Sequence, residues 1–351
     1  MNDDAPPREN IDYLVSLSKR PIEDILDATL GVRYGNRFRD YREAYRQTLN
    51  ADRNGFIPDQ PISVTTELVN RCNLTCSMCY TAHHKEPKAT ISIDDIARIV
   101  RWDGETPLPC ASFGMGSEAL LYKNIREALV TAKSAGVMDI FLFTNGTLLN
   151  PDISEFIVEH QISRLFVSLD AATPETYAKI RGKDMLPAIE KNILDLLAIK
   201  KKYGSELPVV RVSFCVQPDN AHEQQAFLEK WQDLVDRVDF QVLWDHDQVD
   251  DVLAYATTAP DELPAGEVAD APVFCHYPFS YLSVWANGDV SPCCNFYGKG
   301  LILGNIRSHT LPEIWKGEAL AAIRQGFRDG RPNPVCRTCI AASSNLVSIE
   351  T

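Results

Sequence analysis

No run of about 20 apolar residues, the length a helix needs to cross a bilayer, occurs in these 351 residues. Nor is there a basic surplus: 35 Lys and Arg stand against 48 Asp and Glu, a formal net charge of −13. That sign disfavours nucleic acid and an anionic membrane surface as main partners. The opening Met1-Asn2-Asp3-Asp4-Ala5-Pro6-Pro7 has neither the basic start nor the apolar stretch of a signal peptide, so a cytoplasmic location is expected. Internal repeats and low-complexity tracts are missing too. What is present is ordinary globular composition, 45% hydrophobic and 24% charged, enough for a large domain plus one or two smaller parts. Ten cysteines in a chain expected in a reducing compartment point to metal ligation more than to disulfides.

Residues 1–60 read as a helical N-terminal extension, broken at Asn54-Gly55 and Pro58. From Ile62 the pattern alternates short apolar strands with helices. Strands are expected at Ile62–Leu68, Cys110–Gly114, Asp139–Thr144, Arg164–Leu169, Val209–Val216 and Phe240–Trp244. Helices are expected at Ile93–Arg101, Asn124–Ala135, Pro151–Glu159, Pro187–Tyr203 and Ala221–Leu234. Ser92 and Asn150-Pro151 supply helix starts. Six such units predict an α/β fold, a partial (β/α)6 barrel of the TIM type spanning residues 61–255, with active residues at the C-terminal strand ends. The Pro-, Ala- and acid-rich stretch 257–272 then opens a cysteine-bearing region, 256–351.

Asn70-Arg71-Cys72-Asn73-Leu74-Thr75-Cys76-Ser77-Met78-Cys79-Tyr80 follows the first strand. A loop this short can turn three thiolates to one point, and three is one fewer than a cubane iron–sulfur cluster normally takes. A zinc loop is the alternative, with His83 and His84 nearby. The spacing, with Met78 before the last cysteine and Tyr80 after it, resembles the radical S-adenosylmethionine (SAM) superfamily. That resemblance implies a 4Fe–4S cluster on Cys72, Cys76 and Cys79, whose open iron binds the amino and carboxylate groups of SAM.

Further motifs carry the resemblance. Gly116-Ser117-Glu118-Ala119 after the second strand is similar to the Gly-Gly-Glu-Pro segment that holds the SAM amino group, with Ser117 and Ala119 as departures. Thr144-Asn145-Gly146 closes the third strand, and Ser168-Leu169-Asp170 closes the fourth, followed by Ile180-Arg181-Gly182. The resemblance implies that Tyr80, Gly116, Ser117, Glu118, Thr144, Asn145, Ser168, Asp170, Arg181 and Val216 surround the cofactor. Ser168 and Arg181 would take the SAM carboxylate, a role suited to a guanidinium.

Cys275, Cys293, Cys336 and Cys339 form a second constellation, with Cys293 returned by a hairpin turned at Asn287-Gly288. It resembles the SPASM and twitch domains of radical SAM enzymes and implies one auxiliary 4Fe–4S cluster with four thiolates, zinc being the alternative. Cys110 and Cys215 sit in apolar strands, where a free cysteine is usually packing. Cys215 and Cys294 are also potential hydrogen donors, and Asp245, His246 and His276 potential contacts for substrate or proton. The architecture implies a radical SAM enzyme that removes a hydrogen atom from an unactivated C–H bond. It would oxidise a small polar substrate, a sugar or aminocyclitol alcohol, as in twitch-bearing dehydrogenases. The auxiliary cluster would accept the electron, and a flavodoxin or ferredoxin would supply the first one. The alternatives are an epimerase or peptide-modifying enzyme with a Cys hydrogen donor, and a zinc-stabilised binding protein.

Overall fold

The computed structural model describes residues 13–83, 86–241, 243 and 274–344. Asp245, His246 and the stretch 257–272 lie outside them. Among the described residues one ten-stranded sheet organises the chain. Its strands are β1 (Tyr13–Ser18), β2 (Ser63–Thr66), β3 (Cys110–Phe113), β4 (Asp139–Thr144), β5 (Arg164–Ser168), β6 (Val209–Cys215), β7 (Arg237–Gln241), β8 (Tyr281–Val284), β9 (Asp289–Ser291) and β10 (Gly304–Asn305). The order is β1-β7-β6-β5-β4-β3-β2-β8-β9-β10. β2 to β7 are parallel neighbours, the expected six-unit partial barrel, and the sheet does not close.

Alternation along the strands sets the two faces. Leu165, Val167, Val210 and Val212 join a core under the crossover helices. The opposite face holds Phe141, Phe143 and Phe166 in edge contacts, with Arg211 over the Phe166 ring at 3.7 Å. Helices start where expected. Ser92 and Asp95 cap Ile93–Ile99 reciprocally, and Asn150 accepts from Ile153 N ahead of Pro151–Glu159.

Four findings differ from the sequence expectations. The N-terminal extension is not wholly helical, because β1 pairs antiparallel with β7 and covers that edge. Its helices pack Ile25, Leu26, Phe38 and Tyr41 against Ile62, Cys110, Met138 and Val209, at the N-terminal ends of the barrel strands. The last barrel strand begins at Arg237, earlier than its apolar pattern implied, since the charged Arg237 and Asp239 lie within it. A helix at Pro174–Arg181, capped by Thr173, went unpredicted although Thr-Pro is a fair start signal. The C-terminal region also continues the barrel sheet: β8 pairs parallel with β2, and β9 and β10 extend it antiparallel.

Candidate active site

The cysteine loop leaves the C-terminal end of β2 and is fastened to two neighbouring strand ends. Asn145 Nδ2 donates to Cys72 Sγ at 3.6 Å and to Asn73 Oδ1 at 2.8 Å, while Asn73 Nδ2 donates to Thr147 Oγ1 at 2.8 Å. Ser77 N donates to Ile180 O at 2.8 Å, and Arg181 Nη1 donates to Cys76 Sγ at 3.5 Å. Gly182, with φ +77°, abuts the loop directly: a Cβ there would collide with Thr75 Oγ1 and stand 2.9 Å from Thr75 O. Burial pushes the Cys72 and Cys76 thiols up, and the Arg181 charge opposes this at Cys76. Cys79 Sγ lies 3.0 Å from Thr81 Oγ1, so each of the three sulfurs has a polar partner that can donate to a thiolate.

Glu118 is buried, and its carboxylate accepts from Thr144 Oγ1 at 2.7 Å, Asn145 N at 2.6 Å and Leu120 N at 2.9 Å. Burial raises its pKa, and these bonds hold it down. It therefore ties the second strand end to the third. Asp170, buried at φ +65°, ion-pairs with Arg181 and accepts from Cys215 N at 2.8 Å. Asn220 Nδ2 donates to Asp170 O and Cys215 O at 2.9 Å each. Ser168 ends β5 and Val216 follows β6. Tyr80 is buried against Phe296, ring centroids 4.4 Å apart. The motifs that the resemblance pointed to thus converge at the C-terminal strand ends.

The second constellation lines one cavity of about 320 Å³. Cys275, Cys293, Cys336 and Cys339 all face it, together with Cys294, Cys215, Gln241 and Met78 of the cysteine loop. Burial lifts the Cys336 thiol far above its usual value, and Cys293 adds to this. Among the described residues no three His, Cys, Asp or Glu side chains close on a single metal ion. A cubane takes each thiolate on a different iron, and so asks for wider spacing than zinc does. The turn forms as expected, Gly288 N donating to Trp285 O at 2.8 Å. Cys110 is buried at the start of β3, its pKa pushed up to about 12 by burial and then by the Asp139 charge, and is plain packing. His276 sits among Tyr45, Tyr277 and Tyr281 rings, and burial takes its pKa down to about 4.

Residues 66–229 match the model of the radical SAM superfamily, and residues 275–340 match the SPASM iron–sulfur cluster-binding domain. The chain belongs to the radical SAM superfamily and carries a C-terminal SPASM domain. Its cofactors are SAM and 4Fe–4S clusters. It is similar to a probable GTP 3′,8-cyclase of Methanothermobacter marburgensis, 31% identical over 132 residues, which are 38% of this chain and 43% of that relative. It spans about half the length, or less, of the curated relatives it matches. Among solved structures it is similar to native anSMEcpe with bound AdoMet, with TM-score 0.55, 16% identity and coverage of 80% of this chain and 89% of that one. Streptococcus suis SuiB bound to precursor peptide SuiA gives TM-score 0.54, 15% identity and coverage of 80% and 71%. No helix among the described residues is long and apolar enough to cross a membrane.

Proposed function

We propose that the protein oxidises a small polar alcohol, a sugar or aminocyclitol, with an auxiliary cluster on Cys275, Cys293, Cys336 and Cys339 as electron acceptor. When bound, the cluster on Cys72, Cys76 and Cys79 together with SAM supplies a 5′-deoxyadenosyl radical that removes a hydrogen atom from the substrate. The observation that carries the reading is the shared cavity, where four thiols face the end of β6 and Met78 of the first loop. Four thiolates fill all four irons of a cubane, which suits electron transfer rather than substrate ligation. Arg181 keeps its charge beside Asp170 and so is fit to hold a carboxylate. Gly116, Ser117, Thr144, Asn145, Ser168 and Val216 would frame SAM, with Tyr80 at the seam to the second domain. The domain limits 1–60, 61–255 and 256–351 belong to the same proposal.

A second reading rests on Cys215. It lines the cavity, and burial followed by the Asp170 charge keeps it a protonated thiol, the form that returns a hydrogen atom. That supports epimerisation or peptide modification, for which SuiB with its precursor peptide is a fold-level parallel. Turnover in deuterated solvent separates the two. A product two hydrogens lighter supports dehydrogenation. Deuterium at carbon in an isomeric product, lost in Cys215→Ala or Cys294→Ala, supports the rival.

A further inference from the structure

A second cavity, of about 530 Å³, opens at the seam between the barrel and the C-terminal region and shares no lining residue with the first. That volume lies within the ~300–1,000 Å³ of small-molecule sites. One wall comes from residues 98–104, between the Ile93–Ile99 helix and β3, and so sits toward the N-terminal strand ends, away from the cysteine loop. The other comes from residues 306–313, after β10. Backbone bonds fix both walls. Trp102 N donates to Thr106 O at 2.7 Å, Ile306 N to Gly288 O at 2.9 Å, and His309 N to Asn305 O at 2.9 Å. Arg98 Nη1 crosses the seam to Ile306 O at 3.4 Å. The floor is apolar, since Ile99, Trp102, Ile306 and Leu311 all belong to the main core.

The rim is basic: Arg98, Arg101, Arg307 and His309 line the cavity. Arg98 ion-pairs with Asp95. Among the described residues no carboxylate pairs with Arg101 or Arg307; the first reaches only Ala97 O at 3.4 Å, the second Asn287 O at 2.8 Å. The two acids of the cavity are turned to other donors. Asp103 accepts from Thr106 N at 2.7 Å and Thr106 Oγ1 at 2.9 Å, and Glu313 from Thr310 N at 2.7 Å and Thr310 Oγ1 at 2.9 Å. A guanidinium presents parallel N–H groups that match a phosphate, and two without acidic partners stand on opposite sides of this seam. We infer that the cavity binds a phosphomonoester, its phosphate between Arg101 and Arg307 and its flat body on the Trp102 and Leu311 floor. Free inorganic phosphate carries the same anionic chemistry without the body. A ligand so placed holds the barrel and the C-terminal region together and stabilises the folded chain.

Calorimetric titration of the reconstituted holoenzyme tests this with uridine 5′-monophosphate, uridine and inorganic phosphate, under saturating SAM so that the cofactor site is closed to the probes. The monophosphate should bind saturably, at least tenfold tighter than uridine, and raise the Tm. Arg101→Met combined with Arg307→Met should weaken it at least tenfold, as loss of charge-assisted hydrogen bonds implies, while SAM cleavage stays within twofold. Inorganic phosphate binding tenfold more weakly than the monophosphate assigns the site to the ester; binding within twofold of it assigns the site to the bare anion and overturns the role of the floor. Should the double variant fold poorly, Arg307→Met alone, at an exposed position, should still weaken the monophosphate at least threefold. Saturable binding of neither anion, or binding of the monophosphate unchanged in the variants, overturns the proposal.

Discussion

At the first cysteine site, Cys72, Cys76 and Cys79 stand within eight residues and one loop carries them; at the second, the cysteines run from Cys275 to Cys339 and several elements deliver them. The first site is polar and bonded. Asn145 and Arg181 donate to two of its sulfurs, and Glu118 and Asp170 hold those donors' strand ends in place. The second opens on a cavity lined by Pro278, Pro292, Phe296, Leu301 and Val335. Sulfur hydrogen bonds and exposure tune a cluster's potential. The difference teaches that one barrel end can place a donor-rich site and an apolar one side by side.

The largest expected effect comes from erasing the first site. The Cys72, Cys76 and Cys79 triple alanine variant should form no 5′-deoxyadenosine by chromatography, yet keep about half the iron if each site holds a four-iron cubane. Persistent SAM cleavage would break the comparison at once. The Cys275, Cys336 and Cys339 triple alanine variant should do the reverse: about half the iron is lost, SAM cleavage continues, and substrate oxidation stops. Zinc in the native second site, measured by elemental analysis, would end the two-cluster account.

Arg181→Met comes next. It leaves the Asp170 carboxylate buried without its partner, which costs about 3–5 kcal/mol. Calorimetry should show a Tm lower by on the order of 10 °C, and Asp170→Asn in the same chain should restore part of it. A variant as stable as the wild type would mean that the pair does not brace the first site.

A smaller effect is expected from Glu67. Its carboxyl titrates at about 7 in the folded protein against an ordinary 4.5, so folding favours the neutral form. Its contribution to stability is full below 4.5 and is lost as pH rises through 7. Without ligand, the stability of wild type minus Glu67→Gln should fall across that window by about 3 kcal/mol. A flat difference would place Glu67 in a wetter setting than the fold gives it. The smallest change is Cys110→Ala, which should cost about 1 kcal/mol and leave both iron contents intact.

Much of the first site was legible because its information is local. Cysteine spacing within one loop, Thr144-Asn145-Gly146 at a strand end and Ser168-Leu169-Asp170 at the next needed only the rule that parallel strand ends share a face. Arg181 alone reads as a helix-end arginine; its role beside Asp170 and Cys76 exists only because the Pro174–Arg181 helix ends against the cysteine loop at Gly182. Glu67 stands out as the one acid of the expected first strand, but nothing local shows that it meets Ala286.

The sequence by itself determined the six parallel units, the ligand types and the order of motifs along the chain, since periodicity and spacing are properties of neighbours. Tertiary structure alone decided that β8 pairs with β2, that Cys215 faces the four C-terminal thiols, and that Glu67 meets Gly116, Phe296 and Ala286. Those contacts join residues up to 219 positions apart. Such meetings follow from how the sheet edges are covered and how the core packs, which no local pattern encodes.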